Sequence, residues 1–273
     1  MTGRPAGVVA SEWGLVRMST GSRTVPSHTP GVGSNVVAIG ESRAHCAYCG
    51  MRELCLPAGL AATEIEDLHG ILGKRVKVHR GETLYRAGAP CTALYAVRIG
   101  SLKSVTLSDD GREQVTGYHM PGDLVGLDAL GMERHESAAS ALEDSECCVI
   151  PIDHLETMER LLPALQHSLH RILGHEISID HGMLLLLGSM HAEERLAAFL
   201  LSVSARYKAR GYSATEFVLR MTREEIGSYL GLKLETVSRL LSKFHEAGLV
   251  QVQGRRIKII DMPRLRLLVG RRV

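Results

Sequence analysis

No stretch of this sequence stays apolar for long enough to cross a bilayer. The run Met183 to Leu187 stops far short of the roughly 18 residues that a spanning helix needs. The first twenty residues hold no continuous hydrophobic segment of the kind that directs secretion, so the chain is expected to be cytoplasmic and to have no membrane partner. In that compartment thiols stay reduced, and metal ligation outranks disulfide formation. Catalytic signatures are missing too. There is no Gly-x-Ser-x-Gly elbow, no His-Glu-x-x-His pair and no P-loop. Gly31-Val32-Gly33-Ser34-Asn35-Val36 lacks the third glycine of a dinucleotide fingerprint. An enzyme is not expected.

What is present points elsewhere. A length of 273 residues with 45% hydrophobic content suits two domains with buried cores. Net charge is only +2, but from residue 220 onward there are 12 Lys or Arg against 5 Asp or Glu, and the rest of the chain is acidic. A basic C-terminal block is the footprint of a protein that binds the phosphate backbone of nucleic acid. Three of the six cysteines crowd into one short loop as Cys46-x2-Cys49-x5-Cys55, and the others are Cys91, Cys147 and Cys148. Close thiols serve as metal ligands, redox pairs or disulfide halves. Four-iron clusters need four thiolates, so one of the remaining cysteines must complete such a site. Zinc is also open, although no second C-x2-C accompanies the loop.

Taken in order, residues 1–42 are rich in Gly, Ser, Thr and Pro without a sustained period and read as a disordered tail, within which Met18 is a candidate start. Residues 43–162 hold the cysteine loop, a short helix from Thr63 with Glu66 as its capping partner, and then short strands with glycines at Gly81, Gly88, Gly100, Gly111, Gly117 and Gly122. That punctuation predicts a small antiparallel barrel or sandwich. Cys147 and Cys148 are neighbours on a strand there, so they face opposite sides and only one can reach a given metal.

Residues 163–207 predict one long helix with two apolar seams. Leu165, Leu169, Ile172, Glu176, Ile179, Met183, Leu186 and Met190 form one, and Leu173, Ile177, Asp180, Leu184 and Leu187 form the other. One seam suits the barrel and the other a second subunit, giving a homodimer. Asp180 interrupts the second seam. Near a two-fold axis it would meet its own copy and weaken association unless something offsets it.

Residues 208–273 read as a winged helix-turn-helix that binds double-stranded DNA. Thr222-Arg223-Glu224-Glu225 is a capping box, Gly231 makes the turn, and a second helix spans 233–247 with Gly248 at its end. Ile226, Leu230, Val237, Leu240, Leu241 and Phe244 form the buried stripe, while Glu235, Ser238, Arg239 and Ser242 share the outward face. Thr236 and Lys243 extend this candidate DNA surface. Residues 249–259 alternate around Gly254 as a β-hairpin wing whose Arg255, Arg256 and Lys258 suit phosphate contacts.

A cysteine loop, a glycine-punctuated barrel, a dimer helix and a winged helix-turn-helix, in that order, resemble the cyclic-AMP receptor / fumarate–nitrate reduction regulator (CRP/FNR) superfamily, and its oxygen-responsive FNR branch in particular. The resemblance covers nearly everything after about residue 43. It is carried by the cysteine loop, Gly100-Ser101-Leu102-Lys103-Ser104, Gly122-Asp123-Leu124-Val125-Gly126, Cys148-Val149-Ile150-Pro151, His191-Ala192-Glu193-Glu194-Arg195-Leu196-Ala197-Ala198-Phe199 and Glu235-Thr236-Val237-Ser238-Arg239. The fold it implies is α+β: an N-terminal cyclic-nucleotide-binding-like β-barrel (jelly roll), a long dimerisation helix and a C-terminal winged helix-turn-helix.

The resemblance further implies one 4Fe–4S cluster per subunit, held by Cys46, Cys49, Cys55 and Cys148. The family's fourth ligand stands just before an x-Ile-Pro, as Cys148 does. Oxygen would convert the cluster to a 2Fe–2S form and then strip it, with Asp180 between Ile177 and Leu184 helping to part the subunits. The implied function is anaerobic transcription control through palindromes with TTGAT-like half-sites. Arg239 is expected on guanine, Glu235 on cytosine or steering that arginine, and Ser238 on a base edge or phosphate. The Ser108-Asp109-Asp110-Gly111-Arg112-Glu113 loop resembles a surface offered to RNA polymerase. An alternative is a regulator gated by another small ligand, with zinc or nothing at the cysteines. Against a cyclic nucleotide, Glu136-Ser137 stands where that branch has an Arg-Ser pair that grips phosphate, although Arg134 is near. Cys91 and Cys147 match no family ligand and are expected to be buried, reduced thiols.

Overall fold

The computed structural model describes residues 37–43, 46–56, 58–68, 74–108 and 111–270. Most of the expected tail, residues 1–36, lies outside them, as do Asp109 and Asp110 of the loop assigned to polymerase.

Among the described residues nine strands build the N-terminal unit: β1 (Val37–Arg43), β2 (Lys74–Val78), β3 (Thr83–Tyr85), β4 (Ala93–Ile99), β5 (Leu102–Leu107), β6 (Glu113–His119), β7 (Leu124–Val125), β8 (Ala138–Ala141) and β9 (Ser145–Pro151). They form two antiparallel sheets, ordered β1-β2-β9-β4-β7 and β3-β8-β5-β6. The strand β1 corrects the expected boundary of the tail. Val37 and Ala38 pair with Lys77 and Val76, so the sheet begins five residues before position 42. The early helix α1 (Ala62–Leu68) also starts sooner than expected. Thr63 lies inside it, and Glu64, not Glu66, bonds back to the Ala61 N–H (2.8 Å).

Central strands bury both faces, and their period of two sorts the side chains. Val97, Tyr95 and Ala93 of β4 point between the sheets, beside Val76, Leu84 and Val125. Leu94 and Ala96 point the other way, into a second cluster with Leu56, Leu124, Ile150 and Leu155. Strand β9 is sorted identically: Cys147 joins the inner core and Cys148 the outer cluster.

That outer cluster is closed by α2 (Ile152–Leu161) and the first turns of α3 (Pro163–Ser189). The single helix expected over 163–207 is two, α3 and α4 (Ala192–Ala209). Met190 and His191 are extended between them (ψ 147° and 160°), and the Glu194 carboxylate accepts from the His191 N–H at 2.8 Å, which starts a new helix.

The C-terminal unit follows its pattern closely. Helix α5 (Arg223–Leu230) opens on the Thr222/Glu225 capping box, Gly231 turns left-handed (φ 63°), and α6 (Leu234–Glu246) follows. Three-stranded pairing β10-β12-β11 forms the wing, from β10 (Glu216–Val218), β11 (Val250–Gln253) and β12 (Arg256–Ile259). A last helix, α7 (Met262–Val269), packs on α4. Its signal was available: Asp261 caps it, Pro263 sits in the first turn, and Met262, Leu265, Leu268 and Val269 share a face.

Candidate metal centre and nucleic-acid interface

Successive tight turns present the cysteine loop. Cys49 N–H donates to the Cys46 carbonyl (3.1 Å), Arg52 N–H to that of Cys49 (3.1 Å) and Cys55 N–H to that of Met51 (3.1 Å). The loop covers the outer face of the five-stranded sheet. There Cys46, Cys49 and Cys55 line one cavity together with Cys148 of β9, among Leu56, Ala96 and Ile150. Burial, then the nearness of Cys148 and Cys49, pushes the Cys46 thiol up to about 12. Burial likewise raises Cys55 and Cys148. Arg75 opposes the rise at Cys46 and Cys148.

This donor set is all sulfur in an apolar wall, which suits thiophilic metal or an iron–sulfur group. Bonding to a cation would offset the desolvation that now keeps the thiols protonated. Among the described residues no three His, Cys, Asp or Glu side chains are drawn tightly enough to cage a single metal ion. A four-atom iron core, being larger than one ion, asks for wider sulfur spacing than zinc with its bonds of about 2.3 Å. Cys147 is fully buried, as expected. Cys91 is not: it is half-exposed, at the start of β4's approach loop.

The loop grips its surroundings at two points. The Leu56 carbonyl accepts from the buried Ser168 hydroxyl of α3 at 2.7 Å, with Leu165 and Leu169 packed alongside. Leu54 rests on the backbone of Gly122. The next residue, Asp123, pairs with Arg210, just past the end of α4, at 2.7 Å and with Arg206 inside it.

Along α3 the two seams separate only in part: Ile179 of the first is exposed, and Leu173 of the second packs into the cluster that holds Leu165 and Leu169. Leu165, Leu169 and Leu186 are buried in the chain itself, with Ile172 and Met183 half-buried. Ile177 and Leu184 stand 55% and 69% exposed, with Asp180 exposed between them. Leu187, grouped with them from its seam, is instead half-buried and lies toward Gly231 of the helix-turn-helix. Glu176 is pushed up to about 7 by burial and by Asp123.

Sequence reasoning missed the side chain that ties α3 to the DNA-binding unit. Arg195 donates to the carbonyls of Leu187 (2.7 Å) and Met190 (3.0 Å) at the end of α3, and to Leu230 (3.1 Å) at the end of α5. The guanidinium fork thereby satisfies terminal carbonyls of two helices at once. Further ties join barrel and α5: Lys103–Glu225 (2.7 Å) and Val115 N–H to the Ser228 hydroxyl (2.9 Å).

On α6, Ile226 of α5 and Val237, Leu241 and Phe244 are buried, and Leu240 is half-buried. Glu235, Arg239 and Ser242 are exposed, Thr236 and Ser238 partly so. Ser238 and Ser242 face a groove between α6 and the wing turn at Gly254, beside Arg223. Lys243 pairs with Glu193 (2.8 Å), Arg256 with Glu216 (3.2 Å), and Arg255 donates to the Arg220 carbonyl (3.0 Å), so these three are partnered within the chain.

Residues 75–160 match the cyclic nucleotide-binding domain, and residues 194–268 the Crp-like helix-turn-helix domain. Over 234 residues the chain is 48% identical to the transcriptional regulatory protein btr of Bordetella pertussis, covering 86% of this chain and 97% of that protein. It is 45% identical over 234 residues to the anaerobic regulatory protein of Aggregatibacter actinomycetemcomitans (86% and 91% covered). It is 43% identical over 226 residues to the fumarate and nitrate reduction regulatory protein of Salmonella typhimurium (83% and 90% covered). Among solved structures, FixK2 from Bradyrhizobium japonicum superposes with a TM-score of 0.67 at 32% identity, over 73% of this chain and 98% of that one. No described helix is long and apolar enough to cross a membrane.

Proposed function

The chain belongs to the CRP/FNR family of transcription regulators, DNA-binding proteins and not enzymes, and from that footing we propose that it switches anaerobic genes in the cytoplasm in response to oxygen. A 4Fe–4S cluster, one per subunit, bonded to Cys46, Cys49, Cys55 and Cys148 would supply an oxygen-labile tie between loop and sheet. The observation that carries this reading is the convergence of those four thiols on one apolar cavity, three from the loop and one from β9.

The rest of the switch follows from the chain's own residues. A seated loop offers the Leu56 carbonyl to Ser168, and that bond fixes the front of α3. From Ser168 to Leu187 the helix runs about 30 Å as one rigid body. Its far end is fastened by Arg195 to α5. Ile177 and Leu184 then meet a second copy of the chain, and Asp180 meets its counterpart. Two like charges in a drying interface oppose pairing, so a small loss of support from the loop tips the balance toward monomers.

Only the homodimer offers two α6 helices one DNA turn apart, about 34 Å, to a TTGAT-like palindrome. There Arg239 donates to guanine, with Glu235, Thr236, Ser238 and Ser242 beside it. Lys243, Arg255 and Arg256 exchange their present partners for phosphate. Bound in this way, the protein contacts RNA polymerase to activate or repress. The nucleotide-gated alternative is not adopted: Glu136 is exposed beside Ser137, whose hydroxyl already donates to the carboxylate of Asp128.

Air-free purification tests the proposal directly. Iron and sulfide in near-equal amounts, with a broad band near about 400–420 nm that bleaches on aeration together with operator binding, are the expected result. Colourless protein without iron, or equal DNA affinity before and after aeration, would refute it. Asp180→Ala should remain dimeric in air by sedimentation, and a monomeric variant would remove the charge-repulsion step.

A further inference from the structure

Three consecutive residues of the loop before β8 converge on one carboxylate. The Glu136 N–H (3.1 Å), the Ser137 N–H (2.9 Å) and the Ser137 hydroxyl (2.8 Å) all donate to Oδ2 of Asp128. Beside them His135 is 3% exposed, and its Nδ1 has no hydrogen-bond partner, yet it faces the other oxygen, Oδ1, at 3.6 Å.

The imidazole cannot turn away. It stacks on the Tyr85 ring at 3.8 Å between centroids. Its main chain is pinned on both sides, by Gly88 N–H donating to the His135 carbonyl (2.7 Å) and His135 N–H to that of Ala89 (3.0 Å). Gly126 (φ 95°) gives it room, since a Cβ there would come within 3.1 Å of the ring. Adjacent N–H groups with a hydroxyl and an imidazole form a cradle for an anion. Its occupant comes from the short helical turn after Gly126, and one side of it is open to solvent. Burial raises the Asp128 carboxyl, but the neighbouring His135 imidazole and the Ser137 N–H and hydroxyl outweigh that and hold it down at about 2, so the occupant is charged.

We propose that Asp128 is a built-in ligand, a carboxylate that fills an anion site made by residues 135–137 and lets the barrel keep its working shape without an anionic effector. The site accepts oxyanions as a chemical class, carboxylate or phosphate, and the chain's own side chain keeps it closed. Nothing in the inference depends on what the four thiols hold.

The test is chemical rescue of full-length Asp128→Ala, followed by thermal unfolding in chloride, formate or phosphate at one ionic strength. Three donors lose their acceptor, so the midpoint in chloride should fall by about 3–8 °C. Formate should return at least half of that loss in the variant and leave the parent protein unmoved. Phosphate rescue in place of formate would assign the site to tetrahedral anions and equally uphold it. In Asp128→Ala/Ser137→Ala the rescue should vanish, which a merely structural aspartate does not require. A midpoint that neither anion raises above its value in chloride overturns the proposal. Should the variant not fold in chloride, refolding yield is read the same way: recovery with formate or phosphate upholds the site, and equal failure in all three salts overturns it.

Discussion

Leu54 of the cysteine loop lies so close to Gly122 of the barrel that a methyl group on the glycine would come within 2.8 Å of the leucine Cβ. Gly122 also has φ 97°, a conformation that side chains other than hydrogen resist. Gly122→Ala should therefore both strain the turn and lift the loop, costing about 1–3 kcal/mol in stability. Iron retained after anaerobic purification should fall as well. Leu54→Gly in the same chain removes the clashing Cβ but not the strain at residue 122, so iron loading should recover more than the thermal midpoint does.

Neighbouring cysteines on β9 should behave in opposite ways. Cys148→Ser should abolish the visible absorption of anaerobic protein, as should Cys46→Ser, Cys49→Ser and Cys55→Ser. Cys147→Ser should keep the absorption but lose about 1–3 kcal/mol in urea unfolding, because a hydroxyl replaces a fully buried thiol among apolar neighbours. Bleached Cys147→Ser beside coloured Cys148→Ser would reverse the assignment of the fourth thiolate.

DNA affinity should separate two kinds of arginine. Arg239→Ala is expected to cost about 1–3 kcal/mol and to relax discrimination at one base pair, read from binding to substituted half-sites. Arg255→Ala should weaken all sites alike and lower the slope of log affinity against log salt by about one per subunit.

His119 makes stability fall in acid. Its ring shares a hydrogen bond with Ser104 (2.7 Å), and burial pushes its pKa down from 6.5 to about 4, with Asp123 opposing. Between those values the unfolded chain binds a proton that the folded chain refuses. Its contribution is thus complete above pH 6.5, declines as the pH falls to 4, and is level below that. The loss should reach about 1–3 kcal/mol. His119→Gln should flatten this part of a plot of unfolding free energy against pH.

The DNA-binding unit was legible because its signals are local. A capping box, a left-handed glycine and apolar residues three and four apart identify α5 and α6 without any distant contact. The exposed stretch Ile177, Asp180 and Leu184 of α3 was legible for the same reason, since 3.6 residues per turn sorts a helix into faces. Elements with weaker local punctuation were not. The break at Met190–His191 has no proline, α7 is a two-turn helix, and β10 has only three residues and exists by pairing with β12.

Alone, the sequence determined the spacing of the loop thiols, the exposed stretch of α3 and the exposed face of α6, because each is a matter of spacing along the chain. It also established that Cys147 and Cys148 must point to opposite sides, since a strand alternates. The resemblance pointed to Cys148 through its x-Ile-Pro, and the folded chain turns that thiol to the loop. Only the folded chain brought Leu56 to Ser168, 112 positions away, and Arg195 to Leu230, 35 away. Such contacts come from packing one element on another, and no period within either element encodes them.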